Sequence, residues 1–494
     1  MEPRHRAPAL THVLQIVPFL GSPTAVALVE AAWIVGMGSW LLLERRSPAA
    51  TLAWILALAF MPLVGIPVYL LLGPRRLERK RLRMALARRA HSRLLDAWER
   101  TTAAELTASG QLMRLATRLD AAPPETARSV SLLADGDACY DALVEAIRAS
   151  RHHVHAEYYI FAPDRAGARI RDALAERARA GVQVRLLVDA AGSSRLGEGF
   201  LGPLLAAGGE VARFNRVLLG RVKRPVPNFR THRKILVCDG AVGFAGGMNV
   251  CDDHSRAARG DAAWRDVHLR IEGAAVHGLQ LAFFEDWGFA TGSEEATPSF
   301  ERLRHFFPAA ERGEHVVQIV TSGPDQPGHA IERLYFAAIA GARERVWVTT
   351  PYFVPPDPLL AALSSAALRG VDVQLVLPHA TDSFLVDAAG STFHDDLLAA
   401  GVRIHVHGPP MIHAKTCVVD RDLAIVGSAN LDNRSFRLNF EVVVAVYGGP
   451  TADALARIFE DECARSPEKK GRESKGPLGR RLLASAARLL ASQL

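Results

Sequence analysis

The chain is 494 residues long, 49% hydrophobic and carries a formal net charge of +7, a length that allows about two or three domains. The charge is segregated: residues 75–89 carry +7, residues 465–494 carry +6 and residues 1–74 carry +1, which leaves −7 for residues 90–464. A mildly acidic body excludes a broad basic nucleic-acid-binding surface, and five scattered cysteines without C-x-x-C spacing exclude a disulfide framework and a zinc site.

Taken in chain order, Thr24–Leu43 is a 20-residue apolar run broken only by Glu30, and Ala49–Leu72 is a second of 24 residues without charge. Each reaches the ~20 residues that a bilayer-spanning helix needs. Only Glu44–Pro48 separates them, so the expected arrangement of residues 1–74 is a transmembrane hairpin with spans at about 24–43 and 49–72. The block at 75–89, eight Lys/Arg against one Glu, opens a basic juxtamembrane linker expected to reach 125. By the positive-inside rule it places the N-terminus and everything after the hairpin in the cytoplasm.

From about 126 the chain alternates strand-like and helix-like patterns, the signature of an α/β fold. It also repeats itself. Ala178–Val188 returns as Ala367–Leu377, and Leu204–Gly208 as Leu397–Gly401, at offsets of 189 and 193. Each copy reads as a helix, a glycine C-cap and a buried strand. Two matches in order indicate duplicated halves, at 126–307 and 308–465, joined near Pro308–His315. A basic tail, 466–494, follows. Its last part spaces Leu482, Leu483, Ala486, Leu489 and Leu490 along one helical face, which fits either a membrane-surface helix or a solvated terminus.

Lysine usage locates the chemistry. There are 52 arginines but seven lysines, and only Lys223, Lys234 and Lys415 fall between residues 81 and 468. Two of those three sit in one pattern, H-x-K-x4-D, which occurs once in each half. His232, Lys234 and Asp239 are followed by Gly246, Gly247 and Asn249; His413, Lys415 and Asp420 are followed by Gly427, Ser428 and Asn430. In a strand, residues two apart share a face, so each half presents an imidazole and an ammonium together. Two such halves facing one another suit a phosphodiester: one histidine attacks phosphorus, the other protonates the leaving oxygen, and the lysines hold the non-bridging oxygens. Asn249, Asn430 and Ser428 can donate to the same oxygens. No carboxylate cluster marks a metal site, and neither a metal nor another cofactor is expected. Asp239 and Asp420 complete the motif from turns, where a structural task is expected of them. Asp266 and Glu441 lie 34 and 28 residues after His232 and His413 and are the candidate carboxylates for those rings. His152, His153, His277 and His329 read as structural.

The paired motifs resemble the phospholipase D superfamily, and the chain is similar to bacterial cardiolipin synthases over nearly its whole length. The resemblance runs through Trp54, Pro62, Gly65, Tyr69 and Gly73, then Glu157–Phe161, Asn228–Lys234, Gly246–Asn249 and Trp264–His268, and in the second half through Thr350–Pro355 and Asn430–Phe436. It implies two α/β/α halves sharing one active site, a phosphohistidine intermediate, and condensation of two phosphatidylglycerol molecules into cardiolipin and glycerol at the inner membrane of a bacterium. It further implies His232 as nucleophile, His413 as acid, and Asp266 and Glu441 as the carboxylates that orient them. Thr231 departs from the Asn expected before the motif, and Ser428 from the commoner Thr. Rival readings are a phospholipase D acting on phosphatidylethanolamine or another headgroup, a nuclease, which the acidic body disfavours, and an inactive lipid-binding scaffold, which would not need both His/Lys pairs. The partners implied are phospholipids and the bilayer rather than nucleic acid; nothing in the sequence sets an oligomeric state.

Overall fold

A computed structural model describes residues 23–43, 48–61, 108–119, 121–215, 229–292, 303–309, 313–326, 328–471 and 478–489. It divides into two compact units, Met1–Arg75 and Arg76–Leu494. In the first, α1 (Pro23–Leu43) and α2 (Pro48–Phe60) meet through Leu41 and Leu58, flanked by Met37, Trp40, Trp54 and Ile55. Among the described residues, no helix is long and apolar enough to cross a membrane. The second expected span, 49–72, is met only as far as Phe60, and 62–72 lie outside the described residues.

The second unit carries the strands β1 (Glu125–Leu133), β2 (His153–Tyr158), β3 (Gln183–Asp189), β4 (Glu210–Phe214), β5 (Lys234–Cys238), β6 (Val242–Gly246) and β7 (His268–Gly273). They are followed by β8 (His315–Ser322), β9 (Arg345–Thr349), β10 (Phe353–Val354), β11 (Asp372–Pro378), β12 (Arg403–His407), β13 (Thr416–Val419), β14 (Leu423–Gly427), β15 (Leu431–Asp432) and β16 (Glu441–Tyr447). The first seven lie in the order β1-β7-β6-β5-β2-β3-β4, and the second set repeats it as β8-β16-β14-β13-β9-β11-β12. The two sets join edge to edge through the antiparallel pair β1–β8, with Ala127 opposite His315 and Glu125 opposite Val317. An antiparallel join relates two copies by a local two-fold, which is the geometry that a duplicated site requires.

The glycines expected as C-caps take the left-handed region that they favour: Gly181 and Gly370 at φ 85° and 90° end equivalent helices. One face of each half-sheet shares a single core: Ile235, Val237, Ala245 and Leu269 pack with Val418, Val426, Val442 and Val444. The strands are therefore buried on both faces, as their near-continuous apolar runs require. Part of the expected linker belongs to the fold. The helix Ala108–Arg118 buries Ala116, and Gln318 Nε2 donates to Met113 O and Thr117 Oγ1 at 3.2 and 3.0 Å. The leucines of that helix recur at helical spacing within a charged stretch, so the basic residues before it masked the signal. At the other end the tail helix Leu478–Leu489 lies against the helix Phe384–Ala399, burying Ala487, with the Arg488 guanidinium 4.7 Å from the Phe393 ring centre.

Candidate active site

The first motif strand starts at Lys234, and the second at Thr416, one residue after the Lys415 expected to open it. Ahead of each, the chain crosses to the opposite half. His232 donates its backbone N–H to Phe440 O at 2.9 Å, and His413 donates to Arg265 O at 2.7 Å. Those acceptors immediately precede Glu441 and Asp266. Each histidine is thus delivered to the carboxylate of the other half: His413 Nδ1 donates to Asp266 Oδ2 at 2.6 Å, and His232 Nδ1 faces Glu441 Oε1 at 3.5 Å. Chain spacing alone suggested pairing within each half. The crossed register corrects it, because the parallel bridges Thr231–Phe440 and Arg265–Ile412 connect segments far apart in sequence.

With Nδ1 committed to a carboxylate, Nε2 is the nitrogen left for chemistry on both rings. Lys234 Nζ donates to His232 O at 2.6 Å, and Lys415 Nζ donates likewise to His413 O. An ammonium has three donors, so each lysine keeps N–H groups for a phosphoryl oxygen. Ser428 Oγ donates to Glu441 Oε2 at 2.5 Å, and Asn439 Nδ2 to Oε1 at 3.3 Å. Gly247 occupies the position equivalent to Ser428, and a Cβ there would stand 2.0 Å from Asp266 Oδ1. Asn249 accepts the Ile160 N–H at 3.2 Å through its side chain, while Asn430 Oδ1 is buried without a hydrogen bond.

Burial sets the protonation of the site. It holds His232 well below the usual imidazole range, helped by Lys234, Arg434, Lys415 and His413. It lowers His413 likewise, with Lys415 and Lys234 adding to it. The carboxylates move the other way: burial raises Asp266 against the pull of Lys415, and pushes Glu441 up to about 8 against the pull of Lys234. Burial also lowers Lys415 to about 7, opposed by Asp266. Shifts of this kind, from desolvation and specific charges within one cluster, mark functional sites.

Asp239 and Asp420 stand apart from this cluster. At φ 55° and 50° they make equivalent turns. Asp239 accepts the N–H groups of Arg151, His152 and His153, and Asp420 those of Arg343, Glu344 and Arg345. Each ties the end of its motif strand to the start of the neighbouring one, a structural task.

Several residues around the rings escaped sequence reasoning. Tyr159 lies 4.1 Å from the His232 ring and Trp264 5.3 Å from the His413 ring, centre to centre. Arg233, fully buried, donates to Asp286 Oδ2 at 2.7 Å and to Glu441 O at 3.2 Å. His254 is buried beside Asp266, with Nδ1 3.9 Å from Oδ2. The donor atoms of His254, Asp266 and His413 lie within 4.8 Å of one another, as metal ligands would, but Asp266 and His413 are spent on their mutual hydrogen bond. A signal for His254 did exist: it follows Asn249 by five residues as Ser435 follows Asn430. A cleft of about 760 Å³ on this side is lined by His254, Trp264, Arg265, Arg256 and Arg465; neither catalytic-type histidine lines it.

Two α/β halves that interleave their histidines, lysines and carboxylates around one point define a phospholipase D-type phosphodiester site. A family model described as "Cardiolipin synthase, PLD-like domain" matches residues 143–261 and 335–463, and one described as "Phospholipase_D-nuclease N-terminal" matches residues 31–74. Cardiolipin synthase 1 of Bacillus anthracis is 35% identical over 98% of this chain and 97% of its own. Cardiolipin synthase of Geobacillus sp. (strain WCH70) is 37% identical over 92% and 90%. The chain belongs to the cardiolipin synthase family of the phospholipase D superfamily. A crystal structure of phosphatidylserine synthase from Haemophilus influenzae Rd KW20 shares the fold, with TM-score 0.58 and 14% identity over 78% of this chain and all of that one.

Proposed function

We propose that this protein transfers a phosphatidyl group between two phosphatidylglycerol molecules, giving cardiolipin and glycerol. The observation that carries the reading is the crossed pairing: His232 with Glu441, and His413 with Asp266, converge from opposite halves. In the first step His232 Nε2 attacks phosphorus, the P–O bond to the headgroup breaks, and His413 gives its proton to the departing glycerol oxygen. In the second, the glycerol hydroxyl of another phosphatidylglycerol returns a proton to His413 as its oxygen attacks phosphorus and the P–N bond breaks. The assignment of roles has physical support. His232 is held neutral by burial and by the larger set of cations around it, as a nucleophile must be. His413, lowered likewise, has the shorter carboxylate contact, 2.6 Å against 3.5 Å, which holds its ring in place while a proton passes through Nε2. Lys234 and Lys415 hold the non-bridging oxygens as charge builds.

Membrane attachment completes the reading. The apolar runs 24–43 and 49–72 anchor the chain in the cytoplasmic membrane, and the basic block 75–89 holds the catalytic body on the cytoplasmic face. The tail helix supports a second contact. It buries Ala487 against the body but exposes Leu478, Leu482 and Leu489 by 68%, 61% and 84%. These leucines lie opposite the packed face, and Arg480, Arg481 and Arg488 share the helix with no acid, a composition suited to an anionic bilayer.

The test is incubation with phosphatidylglycerol vesicles, with and without phosphatidylethanolamine, reading products by mass. Cardiolipin and equimolar glycerol from phosphatidylglycerol alone are expected. Phosphatidic acid as the main product, or a strict need for phosphatidylethanolamine, would replace the reading with a hydrolase or a different transferase. Topology is read separately by cysteine labelling in cells, with the native cysteines removed. A cysteine at Ser47 should react with an impermeant reagent and one at the exposed Lys470 should not; the reverse would move the chemistry outside.

A further inference from the structure

The two carboxylates of the site are supported from different places. In the second half, Ser428 Oγ donates to Glu441 Oε2 at 2.5 Å. In the first, the equivalent Gly247 can offer nothing, since even a Cβ would sit 2.0 Å from Asp266 Oδ1. The repeat supplies a second pair of equivalent positions, His254 and Ser435, each five residues after its Asn. Both accept the backbone N–H of that Asn: His254 Nε2 from Asn249 at 3.3 Å, and Ser435 Oγ from Asn430 at 3.2 Å. Only the longer imidazole extends beyond this task toward the carboxylate of a histidine pair, since Ser435 turns to Asp432 instead.

The tautomer follows from the first bond. A backbone N–H can only donate, so Nε2 of His254 carries a lone pair and the proton of the neutral ring sits on Nδ1. Burial, ahead of the neighbouring charges, lowers the basicity of this ring to about 3, so the neutral form holds. That Nδ1–H has no hydrogen-bond partner, and Nδ1 lies 3.9 Å from Asp266 Oδ2. Oδ2 is the oxygen that takes the His413 proton donor, while Oδ1 takes the Val267 N–H at 2.7 Å. The ring is locked edge-on against Trp264 at 5.6 Å.

We propose that His254 is a positioning residue for the His413–Asp266 pair, supplying to Asp266 the donor that Ser428 supplies to Glu441. Its dipole limits the swing of the carboxylate and tempers its pull on the His413 proton, so that His413 remains a strong enough acid. At 3.9 Å the contact is electrostatic in the resting site; such contacts tighten when substrate is bound. Lys415, Lys234 and His268 also face this cluster, and none of them is altered in the test.

Two variants of the full chain separate the roles. His254→Asn keeps an amide N–H near the place of Nδ1 but cannot reach Asn249; His254→Gln keeps an acceptor for Asn249 and leaves no donor at the place of Nδ1. The Gln variant is expected to lose kcat by about tenfold with KM little changed, and to move the alkaline limb of the rate profile upward. The Asn variant should stay close to the parent. The kinetic arm rests on the transfer reading above. Titration of the His413 ring by 15N NMR does not, and should show His413 more basic in the Gln variant only. An unmoved His413 titration in the Gln variant, or an Asn variant as damaged as Gln, would overturn the proposal whatever the substrate proves to be.

Discussion

Gly247→Ala adds one methyl group at the point of least tolerance in the site. The new Cβ would lie 2.0 Å from Asp266 Oδ1, 2.7 Å from Cγ and 2.8 Å from Oδ2, against the 3.4 Å at which ordinary contact begins. The carboxylate must retreat by about 1.4 Å, because Gly247 itself is pinned by its N–H bond to Val267 O at 3.0 Å. Such a retreat takes the 2.6 Å contact to His413 past hydrogen-bonding range. A charge-assisted hydrogen bond is worth about 1.5–3 kcal/mol, and displacement by about 1 Å in a catalytic pair costs about a hundredfold. The two magnitudes agree. Turnover of phosphatidylglycerol, read as cardiolipin by mass, should fall by about a hundredfold, with KM affected far less. Gly199→Ala is the control, since a Cβ there meets nothing within 4 Å; it should match the parent. A Gly247→Ala enzyme that folds and keeps more than a third of its turnover would refute the claim that the Asp266–His413 contact drives the chemistry.

Three further outcomes follow from the same geometry. His232→Ala and His413→Ala should each abolish transfer, and the double variant should be no worse than either, because residues acting as a unit are non-additive; near-normal turnover in one single variant would separate the two histidines. Asp239→Ala should lower stability by about 2–3 kcal/mol, from three backbone N–H groups left unpaired and a left-handed turn made dearer, while leaving kcat per folded molecule intact; loss of kcat at unchanged stability would return Asp239 to the chemistry. His268 is buried with its basicity lowered to about 4, mainly by desolvation. Its depressed folded value means that it contributes stability above the unfolded value of about 6.5, lost as pH falls toward 4. His268→Leu should therefore flatten the fall in Tm between pH 6.5 and 4, and an unchanged slope would show that this ring does not titrate on unfolding.

What could be read from the sequence was whatever is local or duplicated. Lys234 and Lys415 stood out because arginine serves elsewhere, and alternation in a strand was enough to set each lysine beside its histidine. Gly181 and Gly370 announced equivalent helix ends because a left-handed residue excludes most side chains. What could not be read was the partnership between halves. Asp266 and Glu441 were found, yet each serves the histidine of the other copy, since the bridges Thr231–Phe440 and Arg265–Ile412 that set this register have no periodicity to betray them. His254 was hidden for a related reason: its meaning lies in a difference from Ser435, and a difference shows only after the copies are superposed. The crossing has a consequence for the duplication itself. A single half would hold a histidine with no carboxylate at its Nδ1 and a carboxylate with no ring to orient. Edge-to-edge joining through β1 and β8 supplies both partners at once, so the contact that completes the fold is also the one that completes each catalytic pair.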